Sequence, residues 1–366
     1  MASRADLETA ELIHDWNQNG ARDRVTPEVE LLDETLRDGL QNPSVRMPTV
    51  PEKVRILELM HQIGVNYAVL GLPSISQRSF QECLRLCKEV QAKNLGLNLV
   101  VSGRTLVSDV EPIIDLSQRA GMKLTAYLFV GTSPIRALAE DWDLEQIRRY
   151  SVQAIELAVR GGLSTTYVAE DASRARPEVL ADLFRLAVEH GASRICLCDT
   201  VGHVTPDGVR NLVQFTRDVV QGTNPSIGID WHGHNDRGMA LINTLTALEA
   251  GANRAHTTAL GIGERAGNCP TELVLLNWKL AGSLGGRDLS ELLEYCRVVA
   301  AVTGWQIPVN YPLVGRDAFR TATGVHASAI IKAEAKGRAW LADRVYSSVP
   351  AGSFGRNQEI CVGYMS

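Results

Sequence analysis

The chain has 366 residues, 45% of them hydrophobic and only 5% aromatic, with 31 glycines and a formal charge of −5. That length can bury a large core, and the composition suits an α/β enzyme better than an all-β sandwich, with roughly 250 residues available for one barrel. Charges of both signs are interspersed without a basic run, which argues against nucleic acid as a partner, and no apolar run approaches the roughly 18 residues needed to span a bilayer.

In chain order, residues 5–17 read as a short amphipathic helix within an N-terminal extension over 1–29. Strand-like and helix-like segments then alternate. Strands are predicted at Val29–Thr35, Tyr67–Gly71, Leu97–Ser102, Lys123–Val130, Ser164–Ala169, Arg194–Asp199, Ile227–His232 and Arg254–Leu260. Helices are predicted between them at Pro51–Ile63, Gln77–Lys93, Val110–Ala120, Leu144–Arg160, Pro177–His190, Pro206–Val220, Ala240–Ala250 and Thr271–Ala281. Pro51, Pro177 and Pro206 fall where a first helical turn accepts proline, and Gly64, Gly121, Gly191 and Gly251 fall where helices end. Eight βα units in succession predict a (β/α)8 TIM barrel over 30–282. An open doubly wound sheet would carry a glycine-rich dinucleotide turn after its first strand; here that turn holds Arg37, Asp38 and Gln41. From 283 to 366 the alternation stops. This stretch reads as a smaller, mostly helical C-terminal subdomain with helices at Leu289–Thr303 and near Ala322–Glu334. The seven cysteines are scattered and odd in number, and the acidic N-terminus does not read as a targeting peptide, so reduced thiols in the cytoplasm are expected. Cys196 and Cys198 read as packing residues of a buried strand.

Functional groups of a barrel gather at the C-terminal ends of its strands. Residues i and i+2 of a strand share a face, so His232 and His234 can present two imidazoles to one ion. Asp38, at the end of strand one, supplies a carboxylate. Two histidines and one carboxylate leave positions open for substrate and suggest Lewis-acid chemistry. Ile227, Ile229 and Trp231 alternate with Asp230, His232 and His234, which turns the polar face toward the barrel mouth, a costly place for idle imidazoles. Arg37 reads either as half of a salt bridge or as a positive fork for a developing oxyanion. Glu170 reads as a rim ion pair with Arg174 or as an acid/base group. Asn268, at the end of Gly261-Ile262-Gly263-Glu264-Arg265-Ala266-Gly267-Asn268, reads as a helix cap or a further oxygen ligand.

These motifs resemble the DRE-TIM metallolyases, barrel enzymes that make or break a carbon–carbon bond beside a carbonyl. The acetyl-CoA-condensing branch, the 2-isopropylmalate, homocitrate and citramalate synthases, is the most similar. Glu170-Asp171-Ala172-Ser173-Arg174 and the glycine-rich loop after strand eight resemble its signatures, and Thr323-Gly324-Val325-His326 with Tyr346 resembles its swapped small subdomain. The resemblance implies a divalent metal (Mg2+, Mn2+ or Zn2+) on Asp38, His232 and His234, with acetyl-CoA and a 2-oxo acid as substrates and amino-acid biosynthesis as the setting. It implies that Arg37 supports the alkoxide, that Gln41 and Thr205 touch substrate, and that Glu170 contacts the acyl-CoA end. His326 and Tyr346, lent by the neighbour in a homodimer, would help deprotonate the acetyl methyl group. Leu40 and Val69 stand where the synthases usually carry Glu; Val69 makes the pocket floor more apolar and leans the acid toward an alkyl side chain such as that of 2-oxoisovalerate. Leu40 is also closer to hydroxymethylglutaryl-CoA lyase, which uses a Gly-Cys-Pro loop; Cys269-Pro270 lies beyond Asn268, out of place for that loop. A lyase of that kind and a non-catalytic metal-binding paralogue are the alternatives. A decarboxylase or carboxyltransferase would want a lysine at a strand end, and none of the eight offers one.

Overall fold

The computed structural model describes residues 29–362 together with 12–14 and 16, so most of the helix expected over 5–17 lies outside the described residues. Eight parallel strands close into a barrel: β1 (Glu30–Asp33), β2 (Tyr67–Val69), β3 (Asn98–Arg104), β4 (Thr125–Gly131), β5 (Ser164–Glu170), β6 (Arg194–Asp199), β7 (Gly228–Gly233) and β8 (Arg254–Thr257). Closure is made by β1 against β8, with Leu32 beside His256 and Asp33 beside Thr257. The expected TIM barrel is present. The strand ends differ from the reading: β1 stops at Asp33 and β8 at Thr257 because the chain turns there to begin the loops that carry the site, whereas β5 and β7 each run slightly further.

The helices are α1 (Val50–Gln62), α2 (Gln77–Ala92), α3 (Val107–Ala120), α4 (Pro134–Glu140), α5 (Leu144–Arg160), α6 (Pro177–Glu189), α7 (Pro206–Gln221), α8 (Ala240–Glu249), α9 (Thr271–Leu280), α10 (Leu292–Thr303), α11 (Gly324–Ala335) and α12 (Ala339–Arg344). Their starts are written locally. Thr49 and Glu52 form a capping box on α1, with the Thr49 N–H donating to Glu52 Oε2 at 2.7 Å. Asp143 caps α5 by accepting from the Gln146 N–H at 2.7 Å. The short α4 has no counterpart in the sequence reading; it begins on a Ser133 cap and ends on Asp141 in the left-handed region, too brief to show a helical period.

Strand parity divides the core. Outward residues such as Leu31, Ala68, Val101, Leu128, Ile195, Ile229 and Trp231 pack against the helices. Inward residues Leu32, Val69, Val100, Tyr127, Val168, Cys196 and Cys198 form a second, smaller apolar cluster inside the barrel. Helix α10, which the sequence reading places in the C-terminal subdomain, joins the outer core. It packs on α1, and its buried Tyr295 hydroxyl donates to Asp33 of β1. Beyond it, β9 (Arg320–Thr321) pairs in parallel with β10 (Glu359–Ile360), and α11 packs on α12.

Candidate metal centre and active site

The turn after β1 and the end of β7 meet at the barrel mouth. Asp38 Oδ2 lies 3.4 Å from His232 Nε2 and 3.7 Å from His234 Nε2, and the two Nε2 atoms are 3.2 Å apart. One ligand atom from each residue fits within a 4.8 Å cluster, and all three side chains are buried. Inward parity explains His232. His234 sits just past the strand end, bridged to Asn268 in the loop after β8. The expected pairing of segments nearly 200 residues apart is therefore a physical contact.

The protonation states suit a cation. Burial pushes both imidazoles down to about 3, so each is neutral at pH 7 with a nitrogen lone pair to offer. Burial pushes the Asp38 carboxyl up, but Arg37, the two histidines and Asn268 outweigh it and hold the group below its ordinary value. Asn268 does not cap a helix, because α9 begins at Thr271 with Pro270 before it. Its buried Oδ1 has no hydrogen-bond partner among the described residues. A carboxylate, two neutral imidazoles and an orphaned amide oxygen form a donor set that a divalent cation fits.

The glycine-rich loop exists to seat that amide. A Cβ on Gly263 would lie 2.0 Å from Asn268 Nδ2, and one on Gly267 (φ +90°) would lie 2.0 Å from the Gly261 carbonyl. Asn42 Nδ2 donates to the Gly263 carbonyl at 2.8 Å, tying the loop to the turn after β1. Across the mouth, Arg265 pairs with Asp236 at 2.8 Å.

A cavity of about 250 Å3 opens over the cluster, lined in part by Arg37, Asp38, Gln41, Glu170, His232 and His234. Arg37 reaches both Glu34 and Asp38, with Nη2 3.5 Å from Asp38 Oδ2, while its buried Nε–H has no partner. Gln41 stands at the rim. Glu170 pairs with Arg136 at 3.2 Å and not with Arg174, which pairs with Asp171 at 2.7 Å. Local spacing favoured Arg174, but parity points Glu170 inward toward the α4 side. Burial raises the Glu170 carboxyl above its ordinary value, and Arg136 opposes that shift.

Other expected residues lie elsewhere. Thr205, exposed at the start of α7, is not in the cavity wall, where Thr200 stands instead. His326 and Tyr346 stack on each other, ring centres 3.9 Å apart, on the exposed C-terminal region and outside this chain's cavity wall. Val69 lies beneath the wall in the inner apolar cluster, and Leu72 from the same segment lines the cavity. Cys196 and Cys198, read as packing residues, line the cavity with their sulfurs 3.8 Å apart. The sequence reading missed Glu34, His256, Tyr127, Ser102 and Phe129, all in the wall. Their inward strand parity was the available signal.

The sequence pattern of the HMGL-like family matches residues 28–299. The chain belongs to the HMGL-like family. Among relatives of this HMGL-like chain, the probable 2-isopropylmalate synthase of Methanopyrus kandleri is 34% identical over 307 residues, 83% of this chain and 58% of that protein. A homocitrate synthase of the same organism is 32% identical over 338 residues, 92% of this chain and 79% of that protein. The chain thus spans about three-fifths of the 2-isopropylmalate synthases it matches first. The hydroxymethylglutaryl-CoA lyase of Pseudomonas aeruginosa shares the fold, with a TM-score of 0.62 at 20% identity over 76% of this chain and 94% of the lyase. The resemblance to the acetyl-CoA-condensing DRE-TIM enzymes is met by relatives named for those activities. No described helix is long and apolar enough to cross a membrane.

Proposed function

We propose that this chain catalyses a Claisen-type condensation of acetyl-CoA with a 2-oxo acid, followed by thioester hydrolysis. The observation that carries the reading is the convergence of Asp38, His232 and His234 beside Arg37 at the mouth of an otherwise closed barrel. Asp38, His232, His234 and Asn268 would hold a divalent metal, which when bound supplies Lewis-acid polarisation of the acid's oxygens. Arg37 presents a fixed positive charge and a free Nε–H to the alkoxide that develops as the enolate carbon attacks the keto carbon. Gln41 orients the acid at the rim. Glu170, held by Arg136, faces the acyl end.

The methyl proton of a thioester is weakly acidic and needs a placed base. The stacked His326–Tyr346 pair serves that role from a second copy of the chain in a homodimer. The exposed side chains of Val325, Ile331 and Tyr346 around it support burial against a partner.

The cavity also supports a substrate class. Leu72, Ser102, Tyr127, Phe129, Val168 and Cys196 also line the cavity, and none is a cation that could pair with a second carboxylate. A monocarboxylic acid with a small branched alkyl chain, such as 2-oxoisovalerate, fits this wall better than 2-oxoglutarate. Against the lyase reading, Cys269 is fully buried away from the cavity, and burial pushes its thiol up to about 12.

The test is thiol release from acetyl-CoA with Mn2+ and a panel of 2-oxo acids. Release is expected with 2-oxoisovalerate and little with 2-oxoglutarate. Cleavage of hydroxymethylglutaryl-CoA without release on any oxo acid would replace this reading with the lyase. Metal binding with neither reaction would make the chain a non-catalytic paralogue.

A further inference from the structure

The barrel interior at the cavity wall carries a chain of buried polar contacts that the proposed reaction does not use. Its hub is Glu34, one residue past β1 and 2% exposed. Glu34 Oε1 accepts from His232 Nδ1 at 2.9 Å and from His256 Nδ1 at 2.7 Å. Its other oxygen faces the Arg37 guanidinium. His256, on β8, turns its Nε2 toward Asp230 Oδ2 at 3.2 Å and is 1% exposed at its side chain. Asp230 is held in turn by the Tyr127 hydroxyl at 2.5 Å and by Arg194 at 2.6 Å. Tyr127, Arg194, Asp230, His232 and His256 approach from β4, β6, β7 and β8, and Glu34 and Arg37 from the turn after β1.

We infer that Glu34, braced by His256, is a positioning residue that sets the metal ligand His232 and the guanidinium of Arg37 with one carboxylate. Three physical consequences follow from the contacts. Accepting the Nδ1–H fixes His232 in the tautomer whose Nε2 lone pair points at Asp38 and His234. Pairing with Arg37 offsets a guanidinium whose Nη2 lies 3.5 Å from Asp38 Oδ2 and which would otherwise repel a cation bound by that carboxylate. The brace from His256 stops Glu34 from swinging into the cavity, because its shared oxygen is gripped from two strands. A single substitution at Glu34 therefore disturbs both the cation and the oxyanion partner.

The inference rests on the metal reading of Asp38, His232 and His234, so the experiment reads metal directly. The full chain, stripped and reloaded, is titrated with Mn2+ and free ion is followed by electron paramagnetic resonance, for the parent, E34Q and H256Q. Circular dichroism and melting check each fold. E34Q keeps a carbonyl that can accept from the histidines but loses the charge facing Arg37. It is expected to weaken Mn2+ binding by about 10- to 100-fold. It is also expected to lower kcat more than it raises KM for the oxo acid, as loss of a partner to the developing alkoxide should. H256Q, which keeps an N–H for Glu34, is expected to weaken Mn2+ by about tenfold or less.

A folded E34Q that binds Mn2+ as the parent does overturns the proposal and leaves the metal reading standing. Should E34Q fail to fold, an H256Q that binds Mn2+ as tightly as the parent, yet melts earlier, overturns it too, since a purely structural brace would behave that way. A parent chain that binds no Mn2+ removes the metal reading and this inference together.

Discussion

The two sides of the barrel interior are built from opposite materials. Along β2 to β6 the inward residues Val69, Val100, Tyr127, Val168, Cys196 and Cys198 form a mainly apolar lining of the kind that fills most barrels of this type, with Arg194 and Glu170 as its charged exceptions. Along β7, β8 and the turn after β1 they include Asp230, His232, Arg254, His256 and Glu34, ionisable groups that are nearly all fully buried, beside the apolar Leu32 of β1. Arg254 alone contacts Glu30 at 2.7 Å and Asp230 at 3.4 Å and lies over the Tyr67 ring at 3.7 Å. Buried charges persist only when paired, and each one here has a partner from another strand. The polar side thus has a fixed geometry able to hold a cation and a carboxylate, whereas the apolar side offers shape. On the proposed function, one barrel divides recognition of the reacting atoms from recognition of the side chain.

The polar side breaks first. D38A or H232A should abolish both Mn2+ binding and thiol release, since each removes a proposed ligand; retained activity in a chelated variant would end the metal reading. H326A should slow condensation by about 100- to 10,000-fold while Mn2+ affinity stays at the parent value. An unchanged rate would remove His326 as the base.

The apolar side should break differently. V168A or F129A should leave metal binding intact and shift kcat/KM toward larger 2-oxo acids by about 10- to 200-fold per group removed or added, measured across the same panel. Loss of activity on all acids equally would instead mean that these residues hold the fold.

Acid offers a finer comparison, because both neutral imidazoles stand on the polar side. His232 and His234 stay neutral in the folded chain down to about 3, against 6.5 in an unfolded one. Between those values the unfolded state binds more protons. Stability of the metal-stripped protein should therefore fall as pH drops below 6.5, by at most about 1.4 kcal/mol per pH unit for each histidine. Urea midpoints at pH 7, 6 and 5 check this, and H234F should flatten the dependence. The smallest expected effect is E170Q, which should raise KM for acetyl-CoA by about tenfold or less through loss of a half-exposed pairing with Arg136; a fall in Mn2+ affinity would place Glu170 in the metal site instead.

Much of this was legible in the residues alone. The alternation of Ile229 and Trp231 with Asp230 and His232 records which way each side chain must point, because a strand has a period of two and only one face can meet helices. Helix caps such as Thr49 with Glu52 are equally local. The barrel and the candidate metal-binding segments follow from such short-range rules. What folding decided is which distant side chains touch. Glu34 and His256 stand 222 residues apart, and nothing in either neighbourhood names the other. Their contact exists because β1 closes the barrel against β8 in one register, Leu32 beside His256. The same holds for Glu170, whose partner Arg136 comes from a helix too short to announce itself. It holds for Asn268, whose amide oxygen is stranded only because Gly263 and Gly267 let the loop fold tightly around it. Periodicity sets the direction of a side chain, while closure of the barrel sets its partner.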